Sequence, residues 1–144
     1  MSTYLSSEMR LRLLEADDHR CAYCRTTEKN SGQPMVVDHL IPVSLGGITE
    51  FENLCFSCRR CNEFKGGNIQ AEDPLTGAYV SLFNPREQQW DEHFRWDSTG
   101  IHLVGLTAVG RATIVALRMN NQVILSARRR WVSVGWHPPE PYGS

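Results

Sequence analysis

Cys21-Ala22-Tyr23-Cys24 and Cys58-Arg59-Arg60-Cys61 repeat one spacing, and between them runs Met35-Val36-Val37-Asp38-His39-Leu40-Ile41-Pro42. Two thiolates three positions apart on a tight turn can converge on one ion, and two such pairs complete a tetrahedral shell with no open position. The pattern predicts a structural Zn2+ held by Cys21, Cys24, Cys58 and Cys61. A plain zinc ribbon separates its pairs by roughly 15–20 residues. Here residues 25–57 intervene, and they carry an adjacent aspartate and histidine. One can hold a metal and the other can move a proton, so the zinc pairs read as a staple closed around an active site.

Working outward, Met35-Val36-Val37 is a short apolar strand that delivers Asp38 and His39 at its end. Pro42 and Gly46-Gly47 impose a loop. Asn53-Leu54-Cys55-Phe56 reads as the returning strand, and residues 59–65 as a short helix ended by Gly66-Gly67. Upstream, Ser6 or Ser7 caps a helix to about Asp17. Downstream, turns at Asp73-Pro74 and Thr76-Gly77 precede a strand-like Tyr79–Phe83. Phe94-Arg95-Trp96 and residues 101–104 form a hairpin about Ser98-Thr99-Gly100. Thr107 caps a helix to about Asn120, and Asn121 caps another to near Gly135. That last helix should turn Ile124, Ala127, Trp131 and Val134 inward and Gln122, Ser126, Arg129 and Ser133 outward. The tail, residues 137–141, is too proline-rich to continue it. The expected class is α+β, with a core over residues 1–67 and an extension over residues 68–144 packed on it.

Composition sets outer limits. With 144 residues, 41% hydrophobic and 22% charged, the chain is one ordinary globular domain's worth. No apolar run reaches the roughly 18 residues of a membrane span, and residues 1–10 lack a signal-peptide core. A cytoplasmic location is expected, where paired cysteines favour metal over disulfides. Cys55, within Leu54-Cys55-Phe56, reads as a small buried hydrophobe. The net charge of −1 hides an asymmetry: residues 1–97 hold 10 Lys/Arg against 15 Asp/Glu, while residues 98–144 hold five arginines against one glutamate.

Asp38-His39-Leu40-Ile41-Pro42, Gly46-Gly47, Asn53-Leu54, Cys58-Arg59-Arg60-Cys61-Asn62 and Lys65 form a string of fixed offsets that resembles the HNH endonuclease family. The match covers residues 20–66, and members with a four-cysteine zinc site, such as phage endonuclease VII-type resolvases and methylcytosine-specific restriction enzymes, are similar to it. The resemblance implies a ββα-metal fold, a hairpin and helix clasping one divalent ion. His39 matches the general base that takes a proton from the attacking water, work suited to an imidazole. Asp38 matches the carboxylate ligand of the catalytic metal, and Asn62, in place of the last histidine, an amide-oxygen ligand. Asn53 matches the asparagine that braces the hairpin loop and helps orient the histidine. Oxygen ligands of this kind suit Mg2+ or Mn2+.

The reading is therefore an enzyme, a metal-dependent DNA endonuclease whose products carry 5′-phosphate and 3′-hydroxyl ends. Its alternative is a zinc-containing module that binds nucleic acid without cutting it. DNA is the expected partner and a membrane is not, and a homodimer or sequential nicks would give a double-strand break. Arg59, Arg60, Lys65 and the run Arg128-Arg129-Arg130 are the candidate phosphate contacts. For His19, His93, His102 and His137, a structural or surface role is expected.

Overall fold

In the computed structural model, which describes residues 5–140, the chain begins with α1 (Ser7–Ala16), capped by the Ser6 hydroxyl accepting from Met9 N at 3.1 Å. The first four residues and Pro141 of the expected tail lie outside the described residues. After the first cysteine pair comes a single helical turn, α2 (Glu28–Ser31), capped by Thr27. β1 (Val36–His39) then pairs antiparallel with β2 (Leu54–Ser57), with Asp38 opposite Cys55 and His39 opposite Leu54. The second cysteine pair opens α3 (Arg59–Lys65), which packs back along β1. Hairpin followed by helix is the expected order, and an α+β fold of small antiparallel sheets results.

The extension differs from expectation in detail. Tyr79–Ser81 is indeed a strand, β4, but it pairs with an unforeseen β3 (Gln70–Glu72). Asp73 fixes the turn between them. Its carboxylate accepts from Leu75 N and the Thr76 hydroxyl, and Arg111 clamps it from a later part of the chain through two bonds of 2.9 and 3.0 Å. A one-turn α4 (Trp90–His93) leads into β5 (Phe94–Trp96), which pairs with β6 (Leu103–Gly105) as the sequence suggested.

Helix α5 (Ala108–Ala116) is capped by Thr107 but stops short of Asn120. Arg118 takes a left-handed φ of 48°, and Asn120 turns inward to bond both Leu103 N and Leu103 O at 2.9 Å. Its amide is used to hold β6 instead of prolonging the helix. Helix α5 sits so close to α4 that a Cβ on Gly110 would lie 2.0 Å from His93 O. Asn121 caps α6 (Gln122–Ser133), whose buried positions are Ile124, Leu125 and Arg128. The expected stripe is thus rotated: Val134 lies past the helix end and is 58% exposed.

One apolar cluster joins both halves, from Leu13, Leu54 and Phe56 to Phe83, Trp90, Phe94, Leu103, Leu117 and Met119, with the four paired cysteines inside it. The Trp90 indole N–H donates to Tyr23 O at 2.7 Å, which ties the extension to the first cysteine turn. Along the outer side of β2, Phe56 N donates to Asp17 Oδ2 and Ala22 N donates to Phe56 O. Arg86 Nε donates to Leu54 O at 2.8 Å while its Nη atoms grip the Asp17 carboxylate at 3.0 and 2.7 Å. Among the described residues no helix is long and apolar enough to cross a membrane.

Candidate metal centre and hairpin site

The sulfurs of Cys21, Cys24, Cys58 and Cys61 lie within 4.8 Å of one another, all four residues are buried, and none is in a disulfide. Tetrahedral zinc with bonds of about 2.3 Å sets its sulfurs about 3.8 Å apart, and Cys24 Sγ lies 3.7 Å from Cys58 Sγ. Within each pair the second residue's N–H points at the first sulfur, Cys24 N to Cys21 Sγ at 3.5 Å and Cys61 N to Cys58 Sγ at 3.4 Å. These donors stabilise sulfur charge. The protons are unevenly held: burial pushes the Cys21 thiol well up, while hydrogen bonds from Cys21 and its neighbours hold Cys24 well below the usual thiol range. A cluster sharing protons in this way can exchange them for a metal ion. The donor set, spacing and burial fit zinc.

On β1 alternate side chains face opposite ways. Asp38 is buried at 4% exposure, and His39 is half-buried at the strand end. The Asp38 carboxylate receives the Tyr23 hydroxyl at 2.6 Å and the Lys65 ammonium at 3.1–3.3 Å, with the Cys55 thiol 4.0 Å away. Burial raises the Asp38 carboxyl above the usual range, against the pull of Lys65 and Tyr23. Lys65 also donates to His39 O at 3.1 Å, so a single ammonium ties the end of α3 to both residues of the dipeptide. His39 Nε2 lies 3.0 Å from Thr49 Oγ1 in the loop.

Asn53 holds that loop. Its Oδ1 accepts from Ile41 N at 2.8 Å, and its Nδ2 donates to Ile41 O at 3.0 Å and Ile48 O at 2.9 Å. The loop folds so tightly that a Cβ on Gly47 would lie 1.7 Å from Ile41 O and 2.9 Å from Asn53 Nδ2. Thr49 and Tyr23 went unread in the sequence. Tyr23 passed as the spacer inside a cysteine pair, and Thr49 as one polar loop residue among several.

The candidate phosphate contacts do not form one surface. Arg59, Arg129 and Arg130 are exposed and Arg60 is half-buried. Arg59, Arg60 and Arg130 line an open groove of about 620 Å3 between α3 and α6, with Trp131 and Asn30. Lys65 corrects the expectation: it is 2% exposed and engaged by Asp38, because the last turn of α3 faces the hairpin. Arg128 corrects it too, being fully buried on the inward face of α6. Asn62 is half-buried on α3, one turn before Lys65. His137, for which a structural or surface role is expected, is buried between Trp96 and Trp131.

Asp38 and Asn62 offer hard oxygen donors on β1 and α3, the type that suits Mg2+ or Mn2+. The Lys65 ammonium now balances the Asp38 charge, and a metal there would share or replace it.

Residues 21–73 match a family model described as HNH endonuclease. Among curated proteins, the Septu protein PtuB of Bacillus thuringiensis is 26% identical over 114 residues, which covers 78% of this chain and 41% of that relative. The chain thus spans about two fifths of the relative's length. No solved structure matches it.

Proposed function

We propose that this chain, whose residues 21–73 carry the match to the HNH endonucleases, is a nuclease that hydrolyses DNA phosphodiester bonds with His39 as general base. The observation that carries the reading is the geometry around that imidazole. It sits half-exposed at a strand end, its Nε2 held by Thr49, above a loop locked by three bonds from Asn53. With Nε2 donating to the Thr49 hydroxyl, Nδ1 is left to accept a proton from water. The water oxygen then bonds to phosphorus, the P–O3′ bond breaks, O3′ leaves with the electron pair and takes a proton from solvent, and the products carry 5′-phosphate and 3′-hydroxyl ends.

Asp38 and Asn62 would hold Mg2+ or Mn2+, which supplies Lewis-acid stabilisation of charge on the phosphate and leaving oxygen. Lys65 fixes Asp38 and His39 O in one arrangement, which keeps the base and the carboxylate in register. The groove bearing Arg59, Arg60 and Arg130 offers guanidinium forks to the DNA backbone. Residues 1–67 act as the nuclease core and residues 68–144 as its support.

The test is incubation with supercoiled, linear and branched DNA under Mg2+, Mn2+ or EDTA, beside His39→Ala. Metal-dependent cleavage that falls on the order of 10²–10⁴-fold in the variant, with DNA binding kept, is expected. A second reading, a zinc module that binds without cutting, draws on the Lys65 ammonium already seated on Asp38. Salt-sensitive binding without cleavage under every metal would select it.

A further inference from the structure

Arg128 heads the fully buried side chains in size. Its Nη1 donates to Ile101 O at 3.0 Å and Asn120 Oδ1 at 3.1 Å, and the guanidinium lies 5.0 Å from the Trp96 ring centroid. Nε and Nη2 are buried and have no hydrogen-bond partner among the described residues. Among the described residues no carboxylate forms an ion pair with it. A buried cation without a counter-charge is strongly unfavourable, so the fold must supply one elsewhere.

Burial lowers the Arg128 guanidinium, and the sulfurs of Cys24, Cys61 and Cys58 are near enough to oppose that lowering when they carry charge. Arg60, inside the second cysteine pair, is near enough to repel it, and Arg60 Nε is also buried without a hydrogen-bond partner among the described residues. Two guanidiniums that repel each other, each with a buried N–H unspent, are stabilised by concentrated negative charge nearby. Zn2+ bound by four thiolates carries two net negative charges, which matches two arginines. Cys58, Arg60, Ile124 and Ala127 line one groove, so α6 lies against the second pair.

We propose that Arg128, with Arg60 beside it, is the counter-charge of the four-cysteine metal centre, so that α6 and the metal hold each other in place. The proposal rests on the reading of the four cysteines as a zinc site. Arg128 is thereby a positioning residue of the metal centre and not a contact for DNA.

The experiment measures zinc affinity of the full chain by chelator competition, with the thiolate absorption of the Co2+-substituted protein as a second readout. Arg128→Gln keeps a donor for Ile101 O and removes the charge. Its zinc affinity should fall about 10–100-fold, the range for outer partners of metal ligands, while Arg128→Lys stays close to wild type. Asn120→Ala removes an Arg128 partner and leaves the charge, so it should lower the melting temperature with zinc affinity unchanged. Wild-type affinity in Arg128→Gln would overturn the proposal, as would equal losses in Arg128→Gln and Arg128→Lys. If Arg128→Gln does not fold, Arg60→Gln decides: a several-fold loss supports the counter-charge and an unchanged affinity refutes it. A wild-type chain that binds neither zinc nor cobalt would instead remove the premise that the cysteines form a metal site.

Discussion

Replacing Asn53 by alanine should damage the hairpin loop far more than the loss of one small side chain suggests. Asn53 is 9% exposed, and its amide meets three backbone groups on the far side of the loop, Ile41 N, Ile41 O and Ile48 O. Each neutral hydrogen bond contributes about 0.5–1.5 kcal/mol net, and groups left unpaired add a desolvation cost. Three bonds therefore amount to roughly 2–4 kcal/mol. For a domain of this size 1 kcal/mol moves the unfolding midpoint by roughly 4 °C, so Asn53→Ala should melt on the order of 10 °C lower. Calorimetry on the zinc-loaded protein measures this, and amide exchange at Ile41 locates it, since that N–H loses its acceptor. Asn53→Asp should be no better, because it keeps the acceptor for Ile41 N but turns a carboxylate toward two carbonyl oxygens. A midpoint within about 2 °C of wild type, with Ile41 exchange unchanged, would show that other contacts hold the loop.

Cys58→Ser opens the four-sulfur shell, so zinc content and melting temperature should fall together; zinc loss with wild-type melting would mean the ion is not a folding element. Tyr23→Phe deletes a 2.6 Å bond to a buried carboxylate, and urea unfolding should register about 1.5–3 kcal/mol. Lys65→Met leaves Asp38 buried without its cation and should cost about 3–5 kcal/mol near neutral pH. Burial already raises the Asp38 carboxyl, and losing Lys65 raises it further. A folded pKa above the unfolded one gives stability that is present at low pH and lost as pH rises through the folded value. The Lys65→Met deficit should therefore shrink on going from pH 7 toward pH 4, and a deficit that grows would contradict the pairing. Arg129→Gln with Arg130→Gln should each flatten the salt dependence of DNA binding by about one unit of slope and leave melting unchanged. An unaltered slope would make them solvated surface.

The core was legible because its signals are local and chemical. The repeated cysteine spacing, the apolar run before Asp38 and the glycines after Lys65 bound the hairpin and α3 to within two residues. Thr107 and Asn121, and Ser6 as one of the pair Ser6 and Ser7, are readable as caps because a short oxygen-bearing side chain before a helix has one recurring use. What escaped depends on contacts distant in sequence. The α5 terminus is set by Asn120 reaching β6, and β3 is too mixed to stand out without β4. Arg128-Arg129-Arg130 looked like one basic patch, yet consecutive helical residues differ by about 100° in direction, which sends the first inward and the other two out. Lys65 reads as a phosphate contact in the sequence because its partner, Asp38, lies on another element.

The bonds on the outer side of β2 bear on how the protein meets its own copies. A two-stranded sheet ends in a row of backbone donors and acceptors that can template a strand from another chain. Here Leu54 O is held by Arg86, Phe56 N by Asp17 and Phe56 O by Ala22 N, none of them from a strand. Side chains and a loop amide have filled the positions that an incoming strand would need. The outer side of β2 is thereby closed to an incoming strand, and self-association of this chain along that edge would first have to displace Arg86, Asp17 and Ala22.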